Sequence, residues 1–137
     1  MGAQIAAHFA NAGIPAVLYD LPAKEGDPNG LVTKAIAGLA KLEPAPLAAK
    51  DRAAAIEAAN YGNDLARLAQ CDLVIEAIAE RLDWKRDLYE KIAPHLAPDA
   101  ILASNTSGLS LAALSEAVPE ALRPYMGGQA HVIRIPA

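Results

Sequence analysis

Short aliphatic runs alternate along the chain with longer, alanine-rich stretches in which apolar residues recur at helical spacing. The aliphatic runs are typical of strands in a parallel sheet, and the periodic stretches are typical of amphipathic helices. The predicted helices cover residues 2–12, 31–42, 82–96 and 109–116, and the predicted strands cover residues 14–20, 71–77, 100–103 and 131–135. The stretch 51–63 has a weak pattern, which indicates an alanine-rich helical turn and then a tight turn, with a short strand as an open alternative.

This order of helices and strands predicts an α/β fold with a doubly wound parallel sheet. Three of the predicted strands lead into polar residues, namely Asp20, Glu76 and the polar run 104–107. Ligands of open α/β sheets bind outside the carboxyl ends of the strands. The sequence therefore predicts a ligand site at that edge of the sheet.

Composition and charge narrow the kind of ligand. The chain has 137 residues and a formal net charge of −4, with its lysines and arginines dispersed, so a nucleic-acid partner is not expected. No stretch approaches the roughly 20 apolar residues that span a bilayer, and the N-terminus does not resemble a signal peptide. The single cysteine, Cys71, forms no internal disulfide and makes no metal site by itself. We therefore expect a cytoplasmic protein without a metal, whose partner is a small molecule or another protein.

Two positions suggest a dinucleotide. Gly2 resembles the third glycine of the G-x-G-x-x-G turn that precedes a helix, and Asp20 ends the next strand, where an acid holds the adenosine ribose. A carboxylate repels a 2′-phosphate, which favours NAD over NADP. The alternative is that Asp20 is an ordinary loop residue or helix cap.

Two longer segments carry a resemblance to a known family. The segment 71–80 with the following Lys85, and the segment 103–110, resemble the NAD-binding domain of the L-3-hydroxyacyl-CoA dehydrogenases of fatty-acid β-oxidation. The resemblance covers nearly the whole chain, and the loop at 21–27 is most similar to the long bacterial members. It implies a Rossmann-like fold, NAD as cofactor and the oxidation of a 3-hydroxyacyl-CoA to the 3-oxoacyl-CoA.

The resemblance also implies roles for individual residues. Asp20 would bind the adenosine ribose, and Glu80 and Lys85 would lie on the cofactor side, with Ala77 also counted as cofactor-binding. Ser107 would contact both the nicotinamide and the substrate, and it is the residue of this chain to which a catalytic role is assigned. A hydroxyl at that position can orient the substrate oxygen.

Each of these residues also has a purely structural interpretation. Glu80 and Lys85 flank the start of a predicted helix, where an exposed acid and a solvated base are common. The polar run 104–107 could cap the helix predicted to begin at residue 109, although four such residues exceed what one cap requires. Lys34 and Lys41 could meet the phosphates of CoA, but lysines on an outer helix usually face solvent, so they are not assigned to the site.

The sequence departs from the family in two respects. The catalytic histidine of the family lies in a His-Phe-Phe-Asn-Pro segment, with a glutamate partner on the following strand, and neither is found after Arg123 and Pro124. His131 lies nearby, but no acid follows it in the required place. The chain also begins inside the phosphate turn, so the sheet is expected to lack its first strand. A stable fold of this kind is hard to build without that central strand.

These observations lead to a set of expectations. Residues 1–137 form a partial NAD-binding domain, without the C-terminal helical domain that binds substrate and forms the dimer. The full protein is expected to be a homodimer that acts on acyl-CoA, whereas this chain alone is expected to be inactive. Two alternatives stay open, a non-catalytic protein on the same fold, as in the lens crystallin related to this family, and a related sugar-acid dehydrogenase.

Overall fold

The computed structural model describes residues 1–122 and 133–134 of the chain. The described residues fall into two compact units, of which the first is Met1–Leu65 and the second begins at Ala66. None of the helices in this described part of the chain is long and apolar enough to cross a membrane.

The first unit is a two-stranded parallel sheet with helices against it. Its helices are α1 (Gly2–Asn11) and α2 (Gly30–Gly38), and its strands are β1 (Ala16–Asp20) and β2 (Ile56–Asn60). Short 3₁₀ segments at Leu39–Lys41 and Lys50–Ala55 connect α2 to β2. The register pairs Ala16 with Ile56 at one end and Asp20 with Asn60 at the other, so the two polar residues lie side by side at the carboxyl edge.

Alanines of α1 form much of the core of this unit. Ala7 and Ala10 are fully buried, and they pack with the larger side chains of Leu39 and Ile56. A methyl side chain lets a helix backbone approach its neighbours closely, and alanine has the highest helix propensity. The alanine-rich composition is thus explained by close packing of a helix on a small sheet.

The second unit contains a three-stranded parallel sheet in the order β3, β4, β5. The strands are β3 (Leu73–Glu76), β4 (Ile101–Ser104) and β5 (Ile133–Arg134), and the helices are α3 (Leu82–Ile92) and α4 (Leu111–Ala117). Further 3₁₀ segments lie at Leu65–Gln70 and Ala93–His95. The core of this unit consists of buried side chains from its helices and from β4, among them Tyr89, Ile92, Leu102, Leu114 and Leu122.

The predicted α/β fold with parallel strands is confirmed. Among the described strands, β1 and β2 pair only with each other, and β3 and β5 pair only with β4, so both edges of each sheet lack a further described strand. The open alternative for 51–63 is also decided, because β2 occupies Ile56–Asn60. The described part of the predicted last strand is β5, while His131 lies outside the described residues.

Several predicted boundaries were wrong by a few residues. The helix predicted to reach residue 96 ends at Ile92, because Pro94 has no N–H with which to continue the α-helical ladder. The helix predicted over 31–42 leaves the α-helical geometry after Gly38 and continues as the 3₁₀ turn Leu39–Lys41. The helix predicted from 109 begins at Leu111, since Ser110 is its N-cap and accepts a hydrogen bond from the backbone N–H of Ala113 at 3.1 Å.

Candidate functional site

Glu76, the last residue of β3, lies at the centre of a buried polar cluster in the second unit. Its carboxylate accepts hydrogen bonds from the Lys85 ammonium at 2.7 and 2.8 Å and from the Tyr89 hydroxyl at 3.0 Å. The Ser104 hydroxyl donates to it at 2.6 Å, and the backbone N–H of Ile78 donates at 2.7 Å. We call Glu76, Lys85, Tyr89 and Ser104 the buried cluster.

Local geometry explains why these side chains meet. Lys85 and Tyr89 are four residues apart on α3 and therefore lie on the same face of that helix. Glu76 and Ser104 are paired in the register of β3 and β4, so their side chains point to the same face of the sheet. The cost of burying the ion pair is offset because the carboxylate has a donor at each of its oxygens.

Lys85 is 0% exposed and Glu76 is 3% exposed, which places the ion pair out of contact with solvent. Burial and the adjacent carboxylate both raise the pKa of Tyr89 above its usual range, so its hydroxyl keeps its proton and stays a donor. Among the described residues that are not exposed, no buried side-chain nitrogen or oxygen lacks a hydrogen-bond partner. Each buried polar side-chain atom of the buried cluster therefore has at least one hydrogen-bond partner.

Glu80 makes a second contact between the two strand ends, at the surface. Its carboxylate accepts a hydrogen bond from the Thr106 hydroxyl and from the backbone N–H of Ser107 at 2.7 Å, and Gly108 N–H makes a longer contact at 3.4 Å. The Thr106 hydroxyl, followed by the Ser107 N–H, lowers the pKa of Glu80 to about 2. Glu80 is thus ionised at neutral pH and holds the polar loop after β4.

The first unit has its own polar arrangement at the carboxyl edge of β1 and β2. Asp20 is exposed, and its carboxylate accepts a hydrogen bond from the next backbone N–H, that of Leu21, at 2.7 Å. The Asp20 carbonyl accepts from the N–H of Tyr61 at 3.1 Å. The backbone of Asp20 is therefore fixed on both sides while its carboxylate stays open to solvent.

Asn60, the last residue of β2, organises the loop beside Asp20. Its amide donates to the Asn29 side chain at 2.7 Å and to Asp64 at 3.1 Å, and it is only 1% exposed. Its side-chain oxygen accepts from the N–H groups of Gly62 and Asn63, each at 2.9 Å. A single buried amide thus ties the turn after β2 to the loop that precedes α2.

The predicted site residues have different surroundings. In the second unit, Glu80 and Ser107 are in direct contact, and Ala77 lies in the connection between β3 and Glu80. In the first unit, Gly2 is the first residue of α1 and Asp20 is the last residue of β1. Their roles in cofactor binding stay predictions.

The structural interpretation of Lys85 in the sequence was a solvated base at the start of a helix. That interpretation was wrong, because its ammonium is fully buried against Glu76. Direct contact of Lys85 with a cofactor stays a prediction, and in this structure the ammonium contacts the carboxylate of Glu76.

Sequence reasoning missed Glu76, Tyr89 and Asn60 as organising residues. A usable signal for Glu76 and Tyr89 was the spacing of Lys85 and Tyr89. It puts a charge and a hydroxyl on the helix face that covers the sheet, and a buried charge there requires a partner. Asn60 carried no comparable signal, because a strand of Ile, Glu and Ala precedes it. The alternative that the run 104–107 caps the following helix was wrong, since Ser110 is the N-cap and the Ser104 and Thr106 hydroxyls donate to Glu76 and Glu80.

No group of three or more His, Cys, Asp or Glu residues that could hold a metal ion occurs in the part of the chain that the structure describes. Cys71 is half-buried, its thiol contacts the Arg67 carbonyl at 3.6 Å, and burial raises the pKa of that thiol. The thiol is accordingly protonated at neutral pH and is not a reactive nucleophile.

Parallel strands with helices between them, and acids and hydroxyls gathered at the carboxyl ends of the strands, define a nucleotide-binding domain of the Rossmann type. Residues 1–131 match the family model of the 3-hydroxyacyl-CoA dehydrogenase NAD-binding domain. The chain belongs to this family, and its cofactor is NAD. The expected family and cofactor are confirmed.

Similar proteins carry related names. A Rickettsia felis protein named as a fatty acid oxidation complex trifunctional enzyme is 45% identical over 124 residues, which cover 90% of this chain and 17% of that protein. A Deinococcus radiodurans protein named as a 3-hydroxyacyl-CoA dehydrogenase is 45% identical over 113 residues, which cover 81% of this chain and 32% of that protein. The chain thus spans less than a third of either relative.

Solved structures agree with this family. The crystal structure of 3-hydroxybutyryl-CoA dehydrogenase from Escherichia coli K12 has a TM-score of 0.66 and 31% identity, over 90% of this chain and 26% of that chain. That of (S)-3-hydroxybutyryl-CoA dehydrogenase from Ralstonia eutropha has a TM-score of 0.63 and 26% identity, over 90% of this chain and 43% of that chain. Of the functions considered from the sequence, the first, a dehydrogenase of 3-hydroxyacyl-CoA, is the one these names favour.

Proposed function

We propose that the protein carrying this chain oxidises a 3-hydroxyacyl-CoA to the corresponding 3-oxoacyl-CoA. The observation that carries the proposal is the family match over residues 1–131, which includes both strand ends that hold Glu80 and Ser107. Bound NAD would accept the hydride that leaves the C3 carbon of the substrate. The residues of this chain are proposed to bind the cofactor and to orient the substrate.

Asp20 is the residue proposed for the adenosine ribose. Its carboxylate is exposed, and one described hydrogen bond, from Leu21 N–H, uses about one of its roughly four acceptor sites. The remaining acceptor sites suit a pair of ribose hydroxyls, and its negative charge disfavours a 2′-phosphate. Gly2, at the start of α1, is proposed as the third glycine of the phosphate turn, where the lack of a side chain lets the helix pack closely on the sheet.

Glu80, Ser107 and Ala77 are proposed for the nicotinamide side. The three described contacts to the Glu80 carboxylate use about three of its four acceptor sites, so one remains for a ribose hydroxyl. Ser107 is exposed, and its hydroxyl is proposed to orient the oxygen of the substrate beside the nicotinamide, which makes it the catalytic residue of this chain. Ala77 has too small a side chain to obstruct the ring.

We further propose that these 137 residues bind NAD without turning over substrate. Proton removal from the 3-hydroxyl group requires a base such as an oriented histidine, and the sequence has no His-Phe-Phe-Asn-Pro segment. Acyl-CoA as the substrate, a helical C-terminal domain, a homodimeric full protein and a cytoplasmic location are parts of the same proposal. It includes no nucleic-acid or membrane partner.

The test is a fluorescence titration of the natural full-length protein with NADH and with NADPH, together with turnover of 3-hydroxyacyl-CoA substrates of several chain lengths. We expect turnover with NAD, and we expect Asp20→Ala to weaken NADH binding about tenfold, the effect of losing charged hydrogen bonds. Glu25→Ala, an exposed acid in the following loop, is the control and should bind NADH as the wild type does. An unaltered NADH affinity in Asp20→Ala, or no turnover at any chain length, would contradict the proposal.

A further inference from the structure

Glu76 contacts both loops that carry the proposed nicotinamide-side residues. On one side its carboxylate accepts the N–H of Ile78, inside the connection from β3 to Glu80. On the other side its carboxylate accepts the Ser104 hydroxyl, and its backbone carbonyl accepts the N–H of Asn105 at 2.7 Å. One residue thus fixes the backbone before Glu80 and the start of the polar loop after β4.

The carboxylate of Glu76 has no capacity left for a ligand. A carboxylate offers roughly four acceptor sites, and Lys85, Tyr89, Ser104 and the Ile78 N–H make five contacts with it. Its side chain is also 1% exposed. Any influence of Glu76 on a bound molecule must therefore pass through the residues that it holds.

Glu76 and Glu80 both contact the segment that ends β4 and leads into the following polar loop. Ser104 is the last residue of β4, and Thr106 lies two residues beyond it in the polar loop. Glu76 binds the first in the interior and Glu80 binds the second near the surface. Ser104 and Thr106 thus connect the contacts of Glu76 to those of Glu80 and the adjacent Ser107 through a short stretch of backbone.

We propose that Glu76 is a positioning residue, which acts through the Ile78 N–H and Ser104 to present Glu80 and Ser107 to the nicotinamide half of the dinucleotide. Lys85 serves the same purpose, because its ammonium donates to Glu76 inside the protein. This inference rests on the proposed nicotinamide-side role of Glu80 and Ser107. Replacing a buried ion pair with apolar side chains often leaves stability unchanged, which is consistent with retention of this pair for geometry.

The test compares two probes of binding in the natural full-length protein, NADH and ADP. ADP has no nicotinamide half, so it reports on the adenosine side alone. We expect Glu76→Gln to weaken NADH binding about tenfold or more, the scale on which small misplacements act, and to leave ADP binding at the wild-type value. Glu90→Gln, the same exchange at an exposed position of α3, is the matched control and should change neither affinity.

Ser104→Ala provides the gentler variant should Glu76→Gln not fold. It removes one hydroxyl donor from the carboxylate, and we expect a loss of about fivefold in NADH affinity with unchanged ADP affinity. Equal losses for NADH and ADP would overturn the inference, since they indicate general damage to the fold. Wild-type affinity for NADH in both variants would overturn it as well.

Glu80→Gln separates this inference from the proposed function on which it rests. Weaker NADH binding in Glu80→Gln, with no change in Glu76→Gln and Ser104→Ala, would overturn the positioning role and leave the role of Glu80 in place. Wild-type NADH binding in Glu80→Gln would overturn the proposed nicotinamide-side role and the positioning inference together. Turnover kinetics provide a further measurement, because mispositioning of Ser107 lowers kcat and also raises KM for NAD.

Discussion

The ion pair between Lys85 and Glu76 makes a strong prediction for local stability. Lys85 is 0% exposed, and its ammonium donates to both oxygens of Glu76 at 2.7 and 2.8 Å. Removing one partner of such a pair leaves an uncompensated charge in the interior, which costs about 3–5 kcal/mol. We expect Lys85→Met to lie near 3 kcal/mol, because Glu76 keeps its donors on Tyr89, Ser104 and the Ile78 N–H.

The double variant makes the prediction specific to the pair. Glu76→Gln alone leaves Lys85 charged and buried, so it too should cost about 3 kcal/mol. Glu76→Gln together with Lys85→Met removes both charges, and we expect it to cost about 3 kcal/mol, well below the sum of the single losses. The resulting coupling energy of about 3 kcal/mol lies at the upper end of values for residues in contact.

Hydrogen exchange read by mass spectrometry measures the effect locally. About 3 kcal/mol corresponds to a loss of roughly a hundredfold in protection in the peptides that cover α3 and β4. The peptide that covers β1, in the first unit, is the internal reference. Losses that simply add in the double variant, or losses under about tenfold in each single variant, would refute the reasoning.

Three further predictions concern other positions. The pKa of Glu80 is lowered to about 2, so the stability that this carboxylate adds is complete above the pKa of the unfolded state, near 4.5, and is lost as the pH falls towards 2. NMR titration of the Glu80 carboxyl measures this pKa, and Thr106→Val should raise it. Leu102→Ala, at a position with 0% exposure, should cost about 2–5 kcal/mol in denaturant unfolding, whereas Ile101→Ala, at 47% exposure, should cost clearly less. Asn60→Ala should cost about 1–3 kcal/mol in thermal unfolding, because its buried amide loses hydrogen bonds to Asn29, to Asp64 and to the turn that follows β2.

The order of elements could be predicted because each one has a local cause. The aliphatic run before Glu76 and the periodic stretch that follows it both fold as their patterns indicate. β2 was less predictable, since Ile56–Asn60 contains one β-branched residue and two alanines. Its pairing with β1 and the anchoring of Asn60 stabilise it, and both depend on residues distant in sequence.

The residues of the candidate site could likewise be predicted from the sequence only in part. Glu80 and Ser107 could be singled out because polar residues at the ends of parallel strands meet at one edge. The burial of Lys85 could not, because α3 is rich in charged residues and nothing local distinguishes the one that points inward. That choice depends on the register of β3 with β4, which places Glu76 beside Ser104 and gives the ammonium its partner.

Glu76 and Glu80 are the same residue type four positions apart, yet their surroundings give them different chemistry. Glu76 has its acceptor sites filled by buried donors, so its charge holds the two strand ends together. Glu80 is exposed, and its donors leave part of its acceptor capacity unused. A bound nucleotide can therefore interact directly with Glu80 and only indirectly with Glu76, and substitutions at the two positions should separate loss of a ligand contact from loss of the geometry that supports it.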